Sequence, residues 1–252
     1  PNGARLRYWV GEYATEPPTF RITTADGAPV RTLEGSGDAG LHELVWDLRE
    51  ALPTEVLTED ASSDDEAGAL VLPGSYLVIM EHGEVLAERN LTVRLDPRAE
   101  ANAADLALRH AAARGAAVLD ATRTAAQEAV DRIDEQLAEA LDLLEGNEGE
   151  AGLVDEAESL RADLDSLREE LSEALPGRML RGIESTSEAP TSDAMWHIDR
   201  GWVRIPALVD RLNRIITEAV PAFHRRLDQA GVRPDPGTPV QVPPRPPGDS
   251  RE

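Results

Sequence analysis

The hydrophobic pattern of this chain changes its period once, and this change limits the folds open to it. Before Asp96-Pro97-Arg98, apolar residues alternate with polar or outward-facing ones, as in the segment 5–10. After it, apolar residues recur every three or four positions, as in the segment 126–144. Period two belongs to half-buried strands, and a spacing of three and four belongs to amphipathic helices. The pattern therefore predicts a β domain followed by a helical domain, each able to fold separately.

Glycine and proline divide the first part into short segments. Asp26-Gly27, Pro73-Gly74 and His82-Gly83 are turn signals between runs rich in β-branched and aromatic residues. Six or seven short strands at this spacing are typical of an antiparallel sandwich. We therefore predict an Ig-like β-sandwich over residues 1–98, with residues 53–70 as a polar insert.

Three apolar seams follow, and they predict a long antiparallel three-helix bundle over residues 99–231. The middle seam alternates steps of four and three, as in a coiled coil, and consists of Leu153, Ala157, Leu160, Leu164, Leu167, Leu171 and Ala174. Residues 178–194 are expected to form a loop. Pro206 and Pro221 fall within the third seam and should each kink or break the helix. Residues 232–252 contain seven prolines and predict a disordered tail.

Charge predicts which helices are neighbours. Residues 145–175 hold eleven acids and two arginines. The third helix carries six arginines, at positions 200, 204, 211, 214, 225 and 226. Packing these two helices side by side would offset part of the repulsion between the acids, although each exposed ion pair contributes little.

Composition excludes several classes of partner and site. The net charge of −23 repels phosphate backbones and anionic lipids, so neither nucleic acid nor a membrane surface is an expected partner. The absence of cysteine excludes disulfides, thiol nucleophiles and cysteine-bound metals. Every basic residue other than histidine is arginine.

No catalytic, metal-binding or cofactor-binding residue is predicted. No G-x-S-x-G turn occurs. The acids Asp60, Asp64, Asp65 and Glu66 lack the spacing that wraps a calcium ion, which favours a solvated loop. The histidines have no metal-binding spacing and are assigned surface or packing roles; they are His42, His82, His110, His197 and His224.

The four tryptophans divide into core and surface candidates. Trp46 is predicted to lie in the sandwich core, whereas Trp9 alternates outward from its strand. Trp196 and Trp202 lie near the start of the third helix, where we expect them to pack at the end of the bundle or against the sandwich. Trp9, Trp196 and Trp202 are therefore the candidate interaction surface.

Several phrases of the chain resemble one bacterial family. They are Pro1-Asn2-Gly3-Ala4, Tyr8-Trp9-Val10, the segments 22–27, 30–33, 40–49 and 72–78, the closing Asp96-Pro97-Arg98, and 223–231. Their order resembles the Ig-like domain of flagellar hook-capping proteins. More specifically, it resembles the region after the propeller in large bacterial BNR/Asp-box, sortilin-like β-propeller repeat proteins, which are often labelled glycosyl hydrolases.

The resemblance implies a non-catalytic structural and interaction module, cut from the C-terminal end of a larger exported protein, periplasmic or extracellular. The sandwich would pack on or space out the N-terminal β-propeller of the same polypeptide, and the bundle would present a long acidic surface to another protein or to a second copy. No Ser-x-Asp-x-Gly-x-x-Trp box occurs in this chain. Two alternatives stay open: a carbohydrate-binding accessory domain, and part of a hydrolase whose active site lies on the missing propeller.

Overall fold

The computed structural model describes residues 3–11, 16–57, 67–99, 101–144, 151–231 and 241. Over these residues the chain is a mixed α and β protein with antiparallel sheets and long helices. The predicted acidic loop from Asp60 to Glu66 lies outside the described residues, as does the proline-rich tail apart from Gln241. Within the described ranges, no helix combines the length and the apolar composition needed to cross a membrane.

The described strands form three antiparallel sheets. They are β1 Ala4–Val10, β2 Thr19–Thr24, β3 Pro29–Glu34, β4 Gly40–Trp46, β5 Arg49–Ala51, β6 Ala67–Leu70, β7 Gly74–His82 and β8 Val85–Val93. β1 pairs with β4, β5 pairs with β6, and the largest sheet has the order β3-β2-β7-β8. The turn signals at Gly27 and Gly83 lie between paired strands, and both glycines have positive φ.

The β1–β4 pair and the four-stranded sheet contribute to one hydrophobic core. Trp46 is fully buried in this core, and its ring packs against that of Tyr76 in a T-shaped arrangement at a centroid distance of 5.5 Å. The indole Nε1–H of Trp46 donates to the carbonyl of Arg49 at 2.9 Å, so its polar atom is satisfied. The prediction that Trp46 is a core residue is confirmed.

The predicted polar insert contains a strand. β6 lies within residues 53–70 and pairs with β5, and Thr54–Val56 form a turn of 3-10 helix. The sequence does not indicate this strand, because Ala-Gly-Ala-Leu is short and its residues do not alternate between apolar and polar. Gly68 lets the two strands approach closely here, since an added Cβ would lie 3.1 Å from the carbonyl oxygen of Glu50, a tight contact. Leu48, at the bend before β5, adopts a left-handed conformation with φ 64°.

The helices are α1 Ala103–Leu144, α2 Ala151–Ala174, α3 Met179–Glu184, α4 Ser192–Arg214 and α5 Val220–Ala230. The prediction of a loop over 178–194 is wrong, because α3 lies inside it and α4 already begins at Ser192. The hydroxyl of Thr191 accepts a hydrogen bond from the backbone of Ala194 at 3.1 Å and caps α4.

The two prolines of the third seam differ in effect. α4 continues through Pro206, so the helix does not break there. Before Pro221, residues Ile215–Ala219 form a π-helical segment that joins α4 to α5. Widening the helix to i→i+5 bonds accommodates the carbonyl that a proline leaves without a donor. Gly231 ends α5 in a left-handed conformation with φ 87°.

α2 buries its seam and runs antiparallel to its neighbours. All seven predicted seam residues of α2 are buried. Arg161 and Arg168 of α2 pair with Asp134 and Asp131 of α1, at 2.7 and 3.0 Å. The pairs follow each other in opposite order along the two helices, which shows that α1 and α2 are antiparallel. The ion pairs that join α2 to α4 and α5 also occur in opposite order.

Arginines of α4 and α5 contact α2, as the charge pattern predicts. Arg211 contacts Glu170 at 2.7 Å, and Arg226 contacts Glu156. Arg204 donates to the carbonyl of Glu173 at 3.5 Å. Arg200 instead lies over the ring of Trp196, on a different face of the helix.

Contacts divide the chain into two compact units. The first comprises Pro1–Leu52, Glu59–Arg114 and Leu180–Pro190, and the second comprises Pro53–Thr58, Gly115–Met179 and Thr191–Glu252. The first unit thus holds the sheets, the first turns of α1 and most of α3. This division does not follow the boundary predicted at residue 98, and separate folding of 1–98 and 99–231 stays a prediction.

The high net charge leads to a prediction about salt. With a net charge of −23, repulsion between carboxylates should destabilise the folded chain at low ionic strength. We expect the thermal midpoint to rise between about 10 mM and about 1 M of a weakly interacting salt, where the Debye length falls to about 3 Å. Scanning calorimetry measures this. A flat or falling midpoint would show that local ion pairs already compensate the acids.

Candidate interaction surfaces

An apolar pair lies exposed on the outer face of the β1–β4 ribbon. Trp9 on β1 is directly opposite Leu41 on β4 in the antiparallel register. The two side chains are 71% and 70% exposed. Directly opposed residues have Cβ atoms about 5 Å apart, so they form one continuous patch. Trp9 faces out because its neighbours Tyr8 and Val10 are buried on the inner face.

A charged cluster borders this patch on the same face. Arg7 pairs with Glu43 at 3.0 Å, and Arg5 approaches the other oxygen of Glu43 at 3.7 Å. Arg7 and Glu43 are register partners, two residues along from Trp9 and Leu41. The outer face is therefore apolar at one end and carries satisfied charges at the other, which is the make-up of an interface centre with a polar rim.

A second exposed aromatic lies on α4. Trp196 is 53% exposed, so it is not packed away as the sequence suggested, and Val203, seven residues later, is 73% exposed. The guanidinium carbon of Arg200 lies 5.1 Å from the centre of the Trp196 ring, in a cation–π contact. Residues at positions i, i+4 and i+7 lie along one side of a helix. Trp196, Arg200 and Val203 therefore share one solvent-facing stripe.

Trp202 is separate from this stripe. Six residues along a helix correspond to a rotation of about 240° from Trp196, so the two rings face different directions. Trp202 is half-buried and engaged with other groups of the chain. The predicted surface of three tryptophans is thus placed as follows: Trp9 lies on a β ribbon, Trp196 lies on an exposed helix stripe, and Trp202 lies on a different side of that helix.

The first unit also contains a buried ion pair that no sequence pattern predicts. Glu184, at the end of α3, has a side chain only 7% exposed. Its two oxygens meet the two terminal nitrogens of Arg49 at 3.1 and 2.7 Å, and one oxygen accepts the backbone N–H of Leu70 at 2.8 Å. Arg49 also donates to the carbonyl of Gly68 at 2.7 Å. This cluster ties α3 to β5 and β6.

A second carboxylate joins the start of α1 to the sheets. Glu50 on β5 is contacted by His110 at 3.0 Å and by Arg114 at 2.9 Å, one on each oxygen. Burial, and then the nearby charge of Glu50, raise the pKa of the Tyr76 phenol above its ordinary value. Both Glu50 and Glu184 have each carboxylate oxygen engaged by a donor, an arrangement suited to holding structure.

Sequence reasoning missed these two clusters for a definite reason. Arg49 and Glu184 are separated by 135 positions, and Glu50 and His110 by 60. No local period or motif links residues so far apart in an acidic chain, where many carboxylates are available to each arginine. One local feature does indicate that the segment before Glu184 is packed against the rest of the chain. The otherwise polar run between Pro176 and Thr191 contains three apolar residues, Met179, Leu180 and Ile183, which suggests burial.

The Asp96-Pro97-Arg98 motif is held together by hydrogen bonds between its own first and last residues. Arg98 donates from its backbone and from its guanidinium to Asp96, at 2.9, 3.0 and 2.6 Å. These hydrogen bonds hold the pKa of the Asp96 carboxyl below its ordinary value. The proline between them fixes φ, so the motif forms a local turn that separates the last strand from α1.

Three further histidines contact oxygen atoms of other residues. His42 contacts the carbonyl of Asp38 at 2.6 Å, His82 contacts that of Glu16 at 2.8 Å, and His197 lies 3.8 Å from Asp193. Within the part of the chain that the structure describes, no group of three His, Asp or Glu side chains is placed to hold a metal ion.

Comparison with known proteins adds no relative to this description. No protein-family model matches the chain, and no curated protein and no solved structure is significantly similar to it.

Proposed function

We propose that this chain is a non-catalytic interaction module of a larger exported protein. In this proposal the first unit is built around an Ig-like sandwich that packs on a β-propeller, which precedes it in the same polypeptide. The second unit is a three-helix bundle that presents an acidic surface to another protein. The exposed Trp9–Leu41 pair is the observation that carries the proposal.

Trp9 and Leu41 are large apolar side chains that lie opposite each other and are exposed to water, so covering them with a binding partner is favourable. Burying a side chain of this size stabilises a contact by about 2 kcal/mol. Tryptophan is also enriched among the residues that dominate binding energy in protein interfaces. The flanking Arg7–Glu43 pair at 3.0 Å supplies a polar border that stays solvated when the apolar end is covered. The paired strands β1 and β4 hold both backbones in register, so little ordering of the backbone is required on binding.

The Ig-like and bundle assignments have separate support. Residues of β1, β2, β3, β4 and β7 share one core, as in a sandwich of two sheets. α2 is linked to α1 on one side and to α4 and α5 on the other by ion pairs of reversed order, as in an up-down-up bundle.

The exposed acids of α2 form the second surface of the proposal. Asp155, Glu158, Asp165, Glu169 and Glu173 lie exposed along this helix, away from its buried seam. A surface of one sign steers a cationic partner toward it and repels nucleic acid. The partner expected here is a protein with a basic face.

The propeller part of the proposal is tested first by the polypeptide itself. The residues that precede Pro1 in the intact protein should contain repeated Ser-x-Asp-x-Gly-x-x-Trp boxes. Finding another type of domain there would refute the propeller origin and leave the Trp9–Leu41 patch to be assigned to a different partner.

The patch is tested by hydroxyl-radical footprinting of the 252-residue chain and of the longer polypeptide. Oxidation of Trp9 and Leu41 should fall about tenfold or more in the longer protein, since a buried side chain is shielded from solvent. Leu86 on β8, which is 60% exposed, is the control and should be oxidised alike in both. Equal oxidation of Trp9 in the two proteins would exclude this face as the propeller contact.

The carbohydrate-binding alternative would also use Trp9, because a flat exposed ring can stack on a sugar. A titration with soluble polysaccharides, followed by tryptophan fluorescence, distinguishes the two uses. A saturable change that is lost in Trp9→Ala but kept in Trp196→Ala would favour sugar binding. The hydrolase alternative places its active site on the propeller, so this chain alone should release no product from such substrates.

A further inference from the structure

The exposed face of α4 carries a second, regular pattern besides the buried seam. Its residues follow steps of four and three over the whole helix: Trp196, Arg200, Val203, Ala207, Asp210 and Arg214. All six are exposed. Steps of four and three keep residues in one line along a helix, and such a line is the contact seam of a coiled coil. α4 therefore has one seam toward its own core and another toward solvent.

The charges on this outer face are not used by the neighbouring helix. Arg204 and Arg211, which face α2, contact Glu173 and Glu170. Among the described residues, the ion pairs include neither Arg200 nor Asp210 nor Arg214. The face is also locally cationic, with two arginines and one aspartate, although the chain as a whole has a net charge of −23.

The order of these six residues is complementary to itself when reversed. In an antiparallel pair with a twofold axis at the level of Ile205, residues equally far before and after Ile205 face each other. Val203 then faces the partner's Ala207, and Arg200 faces the partner's Asp210. Trp196 faces the partner's Arg214. The contacts are an apolar centre, an ion pair on each side of it, and a cation–π pair at each end.

We propose that two copies of this chain associate through the outer face of α4 in an antiparallel, twofold arrangement. A second copy suits this face better than another protein because all three kinds of contact are satisfied by the face itself. The small Ala207 opposite Val203 lets the helices approach closely. The ion pair between Arg200 and Asp210 occurs twice, so the contact pairs four charges that make no ion pair among the described residues of their own chain.

The expected dimer is weak and depends on concentration. The face extends over about 27 Å, from Trp196 to Arg214, at a rise of about 1.5 Å per residue. A single helix pair of this length buries less area than a standard protein interface, and weak complexes occupy that range. We expect a dissociation constant on the order of 10 to 100 µM, with the remaining acids opposing association at low salt.

Charge reversal tests the register. Sedimentation of the full chain between about 1 and 500 µM, at about 0.15 M salt, should show a monomer–dimer equilibrium. Arg200→Asp and Asp210→Arg should each weaken it about tenfold or more, because like charges then meet twice. The double variant R200D/D210R restores both pairs and should return the dissociation constant to within about threefold of the original. Arg89→Asp, an exposed charge on β8, should change nothing.

Cysteine cross-linking gives an independent measure of direction, since the chain has no cysteine. A mixture of Val203→Cys and Ala207→Cys chains should form a disulfide-linked heterodimer on mild oxidation. Ser192→Cys alone should not link to itself, because an antiparallel pair holds the two copies of position 192 about 39 Å apart along the axis. Efficient linkage at Ser192→Cys would show a parallel pair instead.

Two results would overturn the proposal. One is a monomer at every concentration, which would leave the face to another protein. The other is a dimer that neither single charge reversal weakens, which would place the contact elsewhere on the chain. All these positions are exposed, so circular dichroism should show an unchanged fold in each variant.

Discussion

Leu164→Asp is expected to unfold the helical unit. Leu164 is fully buried in the middle of the α2 seam, between Leu160 and Leu167. Aspartate there removes apolar packing and leaves a carboxylate without a partner in the core. The combined cost should be at least about 4 kcal/mol, a large part of the stability of a typical domain. Urea unfolding followed by the helical circular dichroism signal measures the loss.

Ala162→Asp is the matched control, because it adds the same side chain to an exposed position of α2. It should cost no more than about 1 kcal/mol, mostly from helix propensity. The outcome that contradicts this expectation is a fully helical Leu164→Asp chain with an unchanged midpoint, altered only in its sedimentation. The seam of α2 would then be a contact between chains and not the interior of one.

Glu184→Ala is expected to destabilise the first unit by about 3 kcal/mol. The substitution leaves the guanidinium of Arg49 without its carboxylate and the N–H of Leu70 without an acceptor. Removing one member of a buried pair costs more than the pair itself contributes, although Arg49 keeps some access to water and its bond to Gly68. Hydrogen exchange measured by mass spectrometry should show faster exchange in β5, β6 and α3.

Two variants separate the contributions at this site. Glu188→Ala removes an exposed carboxylate from the same segment and should leave exchange unchanged. Glu184→Gln keeps an oxygen for the N–H of Leu70 but removes the charge, so its effect should lie between those of the other two. If Glu184→Ala and Glu188→Ala unfold at the same urea concentration, the Arg49–Glu184 cluster does not hold α3 on the sheets.

The helical seams show how far sequence reasoning reaches. The seven residues assigned to the middle seam are the seven that α2 buries. The acids of this helix meet Arg211 and Arg226, as their opposite charges predict. These predictions succeed because burial of one face imposes its period on consecutive residues, and a period can be read without knowing the neighbours. Trp46 and the turn glycines were found on the same local grounds.

The failures lie where a segment has no period of its own. β6 and α3 are short, and each owes its position to a partner distant in the chain. The expectation that Trp196 packs at the end of the bundle failed for a related reason: it used only the position of Trp196 near the start of the helix, whereas the direction of the side chain depends on how the helix is rotated about its axis.

Sequence alone therefore determined the kind of secondary structure, the change from strands to helices, and the faces of α2 and β1. Tertiary structure decided which distant residues meet, namely Arg49 with Glu184 and Glu50 with His110. It also decided that the first turns of α1 belong to the unit that contains the sheets. The physical reason is one of range. Burial patterns and turn preferences act between neighbours in the chain, whereas an ion pair between positions 135 residues apart exists only after the backbone has brought them together.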